Sequence, residues 1–202
     1  LQAAGRLGEA WYVERASTPQ QRVARVTDVD ASTVPYFSMI VVPGAINNPP
    51  ARLDASPPRG VTVVGLGPGP GDQQTPQVRA ALASATDLIG YTTYLARVTT
   101  RPGQQVHASD NRVESQRAEF ALDLARRGRR VVVVSSGDPG VFAMAAAVAA
   151  VAAEEQYADV PVRVLPGLPA ASAVAAGFGA PLCHGLALVH RPARLKPGAL
   201  SL

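Results

Sequence analysis

RRVVVVSSGDPGVFAMAAAV, residues 129–148, passes from a strand through a tight turn into a helix. Its four consecutive valines, Val131 to Val134, are apolar on both faces, the pattern of a strand buried inside a parallel sheet. The run stops at Ser-Ser-Gly-Asp-Pro-Gly and opens into alanine, the strongest helix former. Two other segments repeat this design: VTVVGLGPGPGD at 61–72 and PVRVLPGLPAAS at 161–172. Three strand ends then deliver three loops to one edge of a sheet, and that edge is where a small ligand is expected.

The rest of the downstream sequence fits the same alternation. Thr75-Pro76 offers an N-cap hydroxyl and a first-turn proline for a helix to about Ala85, and Leu88 to Gly90 reads as a short strand. Ala118, Ala121, Leu122 and Ala125 stand at i, i+3, i+4 and i+7, which predicts an amphipathic helix over 114–127, closed by Gly128. A helix is expected directly after Pro139, a strand over Val162 to Leu165, and a last helix over about 169–176. Strands alternating with helices predict an α/β fold with a parallel sheet and right-handed crossovers.

Upstream, AINNPPARLDASPPRG at 45–60 has no hydrophobic period and reads as a linker. Before it, Gly8 to Arg15 and Tyr36 to Val42 are strand-like. A piece this short cannot bury enough surface to fold alone, so residues 1–44 are expected to be the end of a preceding domain. The first residue is Leu, which suggests a start inside a longer reading frame.

Composition narrows the function classes. The longest apolar stretch, Val141 to Ala153, is too short to cross a bilayer, and the first residues do not resemble a secretory signal. Cys183 is the one cysteine of the sequence, which rules out an internal disulfide and a thiolate metal cluster and suits a reducing cytoplasm. The net charge of +4 rests on scattered arginines, and only 5% of residues are aromatic, which argues against a nucleic-acid surface. Arg126, Arg127, Arg129 and Arg130 flank Gly128, where cations favour a helix C-terminus.

GLGPGPG fails the dinucleotide fingerprint, because Pro70 occupies the third glycine position, and no Gly-Lys-Ser/Thr phosphate loop is present. A rigid loop of bare backbone remains, suited to close approach by a flat or bulky ligand. For Asp138 two readings stand side by side: a cap on the following helix, or a group that holds the polar part of a cationic or zwitterionic ligand.

VVGLGPG followed by TP, the tyrosine pair in GYTTYL, SSGDPGVFAMA, PGLPAA and GAPLCH, in this order, resemble the tetrapyrrole (corrin/porphyrin) methylases of cobalamin biosynthesis. The likeness runs from about Val61 to Lys196 and is strongest to the members that methylate precorrin-3B at carbon 17 with ring contraction. The segment before the linker is similar to the C-terminal end of a precorrin-2 C(20) methylase, so the resemblance implies a fusion of two methylases with the seam at 45–60. It implies S-adenosylmethionine as cofactor, a precorrin substrate, a cytoplasmic enzyme without nucleic-acid or membrane partners, and a homodimer as one allowed assembly. It also implies that 61–202 is the N-terminal part of a two-domain methylase whose second domain largely lies outside this chain.

Position by position, the resemblance places Pro68, Gly137, Asp138, Val141, Phe142, Pro169 and Ala170 at the cofactor, and Tyr91, Tyr94, Asn111 and Arg112 toward the acidic macrocycle. It assigns no catalytic acid or base, His184 being a candidate by position alone, and no metal. The chain departs from the family at Pro70, where aspartate is usual, and at Pro169, where a hydroxyl residue is usual. A non-catalytic ligand-binding or interaction module on the same scaffold is the alternative reading.

Overall fold

The computed structural model describes residues 2–3, 5–16, 18–42, 59–69, 71–110, 114–180 and 182. The chain divides into two compact units, Leu1–Ser56 and Pro57–Leu202.

The first unit is a three-stranded antiparallel sheet. β1 (Trp11–Glu14) lies in the middle, with β2 (Arg22–Arg25) and β3 (Ser38–Val41) at its edges. Tyr12 and Val13 supply the buried side chains of β1, and the Arg25 guanidinium lies over the Trp11 ring at 3.9 Å. The sequence suggested two strands here. β2, RVAR, is almost wholly exposed and carries no apolar run by which to recognise it.

The second unit is an α/β domain built on a five-stranded, all-parallel sheet. Its strands are β4 (Gly60–Gly65), β5 (Asp87–Tyr91), β6 (Gln105–Ser109), β7 (Arg130–Ser135) and β8 (Val162–Leu165), in the spatial order β6-β5-β7-β4-β8. The valine run of β7 sits at the centre, paired with β5 and β4, as a run apolar on both faces requires. Alternate residues feed two cores. Val61, Val63, Ile89, Val131 and Val133 pack under α3 (Glu114–Arg126) and α4 (Met144–Ala152). Val64, Leu88, Val132 and Val134 face the other way, against α1 (Pro76–Ser84) and Leu95 of α2 (Thr92–Leu95).

The local signals act as their chemistry dictates. The Thr75 hydroxyl accepts a hydrogen bond from the Val78 amide at the start of α1, and Gly128 ends α3 at φ +80°. One boundary differs from expectation: α4 begins at Met144, and residues 139–143 form a turn between Pro139 and the helix. α5 (Ala170–Gly177) follows β8 and buries none of its side chains, with Val174 and Phe178 57% and 84% exposed.

The strand order fixes where the chain opens. From β4 the chain crosses past β7 to β5 by way of α1, whereas from β7 it crosses past β4 to β8 by way of α4. These two helices cover opposite faces, so the loops leaving neighbouring strands β4 and β7 part above the sheet. Such a switch point makes a crevice at the carboxyl ends of the strands.

Candidate functional site

Bare backbone joins the loops at this crevice. Gly67 and Gly137 exchange two hydrogen bonds, 3.2 and 3.1 Å long, across an antiparallel bridge between the loops after β4 and β7. Both glycines have positive φ, +70° and +60°, which L side chains rarely adopt. Gly65 and Gly167 complete the junction: a Cβ on either would run into the carbonyl oxygen of Gly137. The glycines expected to admit a ligand are needed first for the loops to pack on one another.

Asp138 tightens the same junction. Its Oδ1 accepts from the Gly140 amide at 2.8 Å and its Oδ2 from the Gly167 amide at 3.1 Å, tying the β7 loop to the β8 loop. It does not cap α4, which starts six residues later with Ala143 at the cap position and no side-chain acceptor. Arg97, just after α2, is a second tie: its guanidinium donates to the Ser136 hydroxyl at 3.2 Å and to the carbonyls of Gly67 and Gly69.

Beside the junction lies a cavity of about 430 Å³, within the roughly 300–1,000 Å³ range of small-molecule sites. Its wall brings together Tyr94, Gly137, Asp138, Val141, Phe142, Pro169 and Ala170, seven of the residues that the resemblance assigned to cofactor or substrate. Pro68 and Tyr91 are not part of that wall; Tyr91 packs edge-on against Tyr94, ring centres 5.2 Å apart. Asn111, Arg112, His184 and Pro70 lie outside the described residues. Phe142 holds φ +50° and is 58% exposed at the wall, a conformation that costs a non-glycine residue about 1–3 kcal/mol and persists only where the surroundings impose it.

Ser135 and Ser136, which cluster with Asp138 in the SSGDP loop, also belong to the wall, as do Glu114 and Arg117, which sequence reasoning missed. Arg117 is only 4% exposed. Its Nε donates to the Ser109 hydroxyl at 3.0 Å, Nη1 to the Met144 sulfur at 3.3 Å, and Nη2 to the Asp110 carbonyl. Burial lowers its pKa from the ordinary arginine value, with Glu114, Tyr94 and Asp110 pulling in the opposite sense. A signal for it existed: Arg117 stands four residues before Ala121, on the buried stripe of α3, where a charged residue is out of place. Arg97 left no such signal, since its role depends on loops distant in sequence.

Residues 60–197 match the tetrapyrrole (corrin/porphyrin) methylases. The chain belongs to this family. It is 55% identical over 197 residues to the cobalamin biosynthesis protein CobIJ of Mycobacterium tuberculosis, an alignment that takes in 98% of this chain and 37% of the relative. It is 47% identical over 137 residues to a precorrin-3B C(17)-methyltransferase of a Sinorhizobium species, covering 67% of this chain and 54% of that one. The crystal structure of the methyltransferase CobJ superposes with a TM-score of 0.65 at 53% identity, over 68% of this chain and 58% of that one. The chain thus spans between about a third and three fifths of the length of these relatives. No helix among the described residues is long and apolar enough to cross a membrane.

Proposed function

We propose that the protein is an S-adenosylmethionine-dependent methyltransferase of cobalamin biosynthesis, acting on precorrin-3B at carbon 17 with contraction of the ring. The observation that carries this reading is the cavity between the loops after β7 and β8, formed in a chain 47% identical to a precorrin-3B C(17)-methyltransferase. The residues present suit such a cofactor. The cavity has room for part of a nucleoside-sized group, aromatic faces in Tyr94 and Phe142, and polar groups in Arg117 and Ser135 that can hold an amino-acid end.

Bound S-adenosylmethionine supplies a methyl group already activated on a sulfonium. The chain's own part is placement. The loops tied by Gly67, Gly137, Asp138 and Arg97 form a wall that keeps its shape when a ligand arrives, and such preorganisation aligns an acceptor carbon with the S–CH₃ bond. Val141, Phe142 and Met144 line it with apolar surface that excludes water. In this reading Tyr91, Tyr94, Asn111 and Arg112 meet the macrocycle, and Pro68 belongs to the cofactor site, beside the macrocycle.

The first unit is read as the end of a preceding precorrin-2 methylase, residues 1–44, followed by a linker over 45–60. Support comes from the mycobacterial alignment, which runs through 98% of this chain within one relative.

The test is titration of the full-length protein with S-adenosylmethionine in a calorimeter, followed by incubation with precorrin-3B and mass spectrometry of the product. Saturable binding and gain of one methyl group are expected. Absence of cofactor binding overturns the reading.

A further inference from the structure

The wall of the cavity holds a buried cation that no carboxylate among the described residues contacts directly, Glu114 and Asp110 acting on it only from a distance. Arg117 is almost fully buried, yet its three named hydrogen bonds go to a hydroxyl, a thioether and a carbonyl, and no carboxylate among the described residues lies within 4 Å of its guanidinium. A buried cation normally has an anionic partner, because desolvation is otherwise uncompensated. Five N–H groups on a guanidinium leave donors to spare after three bonds.

Three independent features of the same wall point to the same chemistry. Ser135, 1% exposed, has a hydroxyl oxygen without a hydrogen-bond partner. The first residues of α4, Ala143 and Met144, and of α5, Pro169 to Ala171, also line the cavity, and neither helix has a side-chain cap. Two uncapped helix N-termini present amide donors and the positive ends of their dipoles. Glu114 is the one acidic side chain of the wall besides the committed Asp138, and it is exposed.

We infer that Arg117 and Ser135, with the N-termini of α4 and α5, form a carboxylate-binding subsite in the cavity. The guanidinium donates a fork-to-fork pair of hydrogen bonds to a carboxylate's two oxygens, and Ser135 donates its free hydroxyl hydrogen. Ser109, Asp110 and Met144 hold the guanidinium in orientation beforehand, so little is lost in ordering it when the ligand arrives. The inference deepens the function proposed above and rests on it for the identity of the ligand. Two sources can supply the carboxylate: the amino-acid end of S-adenosylmethionine, or an acid side chain of the macrocycle.

The experiment titrates the full chain and its variants Arg117→Gln, Arg117→Lys and Ser135→Ala with three probes. These are S-adenosylmethionine, its decarboxylated analogue, and uroporphyrin III as a polycarboxylate macrocycle. If the cofactor is the source, the native protein prefers S-adenosylmethionine over the decarboxylated analogue by about tenfold, and Arg117→Gln abolishes that preference. If the macrocycle is the source, Arg117→Gln weakens uroporphyrin III by about tenfold and leaves the cofactor preference as it was. In either case Arg117→Lys recovers part of the loss, since it keeps the charge without the fork.

Arg117→Gln binding all three probes within about twofold of the native protein overturns the inference. Equal weakening of S-adenosylmethionine and its decarboxylated analogue, with uroporphyrin III unchanged, does so too, because it marks a structural role. Should Arg117→Gln fail to unfold cooperatively, Ser135→Ala decides: its hydroxyl has no partner among the described residues, so the fold is kept, and the same probe must weaken by about threefold or more. Cofactor binding that ignores Arg117 and Ser135, with uroporphyrin III unaffected as well, sinks the subsite and spares the methylase. Loss of cofactor binding in the native protein, with Arg117-dependent binding of uroporphyrin III retained, does the reverse.

Discussion

Asp138 accepts a hydrogen bond from the backbone amide of Gly167, 29 residues further along the chain, and so binds the loop after β7 to the loop after β8. Its other oxygen is held by Gly140. With both oxygens engaged by backbone, the carboxylate fixes the position of the loops. Asp138→Ala is expected to lower the free energy of unfolding by about 1–3 kcal/mol, by leaving amides without their acceptor. Asp138→Asn keeps one acceptor and is expected to fall between the native protein and the alanine variant. Urea denaturation of the three proteins checks the order; a native-like midpoint for Asp138→Ala contradicts it.

The glycine junction makes a sharper claim. A methyl group on Gly167 would overlap the Gly137 carbonyl oxygen and also the Gly65 carbonyl group, so rigid atoms would have to move. Gly167→Ala is therefore expected to cost about 1–3 kcal/mol from overpacking and to weaken S-adenosylmethionine binding in parallel. Gly128→Ala is the control. Gly128 has φ +80° but nothing within 4 Å of a Cβ, so it bears only the conformational cost, about 1–2 kcal/mol, with the cavity untouched. A Gly167→Ala variant that binds cofactor as the native protein does would show that the loops can part without consequence.

How far the sequence foretold this arrangement depends on which force placed each residue. The valines of β7 and the Gly/Pro loops after β4 and β7 were legible because burial on both faces and positive φ leave local signatures. β6 was not, since Gln105–Ser109 is an exposed edge strand held by pairing with β5 rather than by an apolar run. The start of α4 was misplaced because Pro139 has the look of a first-turn residue, whereas the chain makes a further turn through Phe142 at φ +50° before the helix begins. The site residues named from sequence come from contiguous motifs. Arg97 acts across 28 residues, on Gly69, a contact written only in the folded chain, whereas Arg117 left a trace as a charge on the buried stripe of α3.

At the opposite end of the sheet, Asp87 is 1% exposed and meets Arg129 at 2.6 Å, His107 at 2.9 Å and the Thr86 hydroxyl at 2.7 Å. Burial by itself would raise its pKa; the hydrogen bonds from Arg129, His107 and Thr86 outweigh it and hold the carboxyl below the ordinary 3.8. A carboxylate with a depressed folded-state pKa stabilises the fold fully above the unfolded value. That contribution is lost as pH falls below 3.8 and through the lower folded value. Asp87→Asn is expected to unfold at lower urea at neutral pH and to lose less stability than the native protein over this acid window. Parallel pH profiles for the two proteins would refute the assignment.

Arg97 offers the most local test of the idea that the loops are built as one body. Its guanidinium reaches the carbonyls of Gly67 and Gly69 in the first loop and the Ser136 hydroxyl in the second, so one side chain spans the bridge that Gly67 and Gly137 make with their backbones. Lysine has the charge but a single ammonium, which cannot serve three acceptors in this fork geometry. Arg97→Lys and Arg97→Met are therefore both expected to loosen the bridge, by about 1–3 kcal/mol if the freed carbonyls stay buried. Native-state hydrogen exchange reads this at two positions, because the Gly67 and Gly137 amides each donate across the bridge. Both should exchange faster in the variants, while the β7 amides of Val132 to Val134 keep their protection. Unchanged protection at Gly67 and Gly137 would mean that the bridge holds without Arg97.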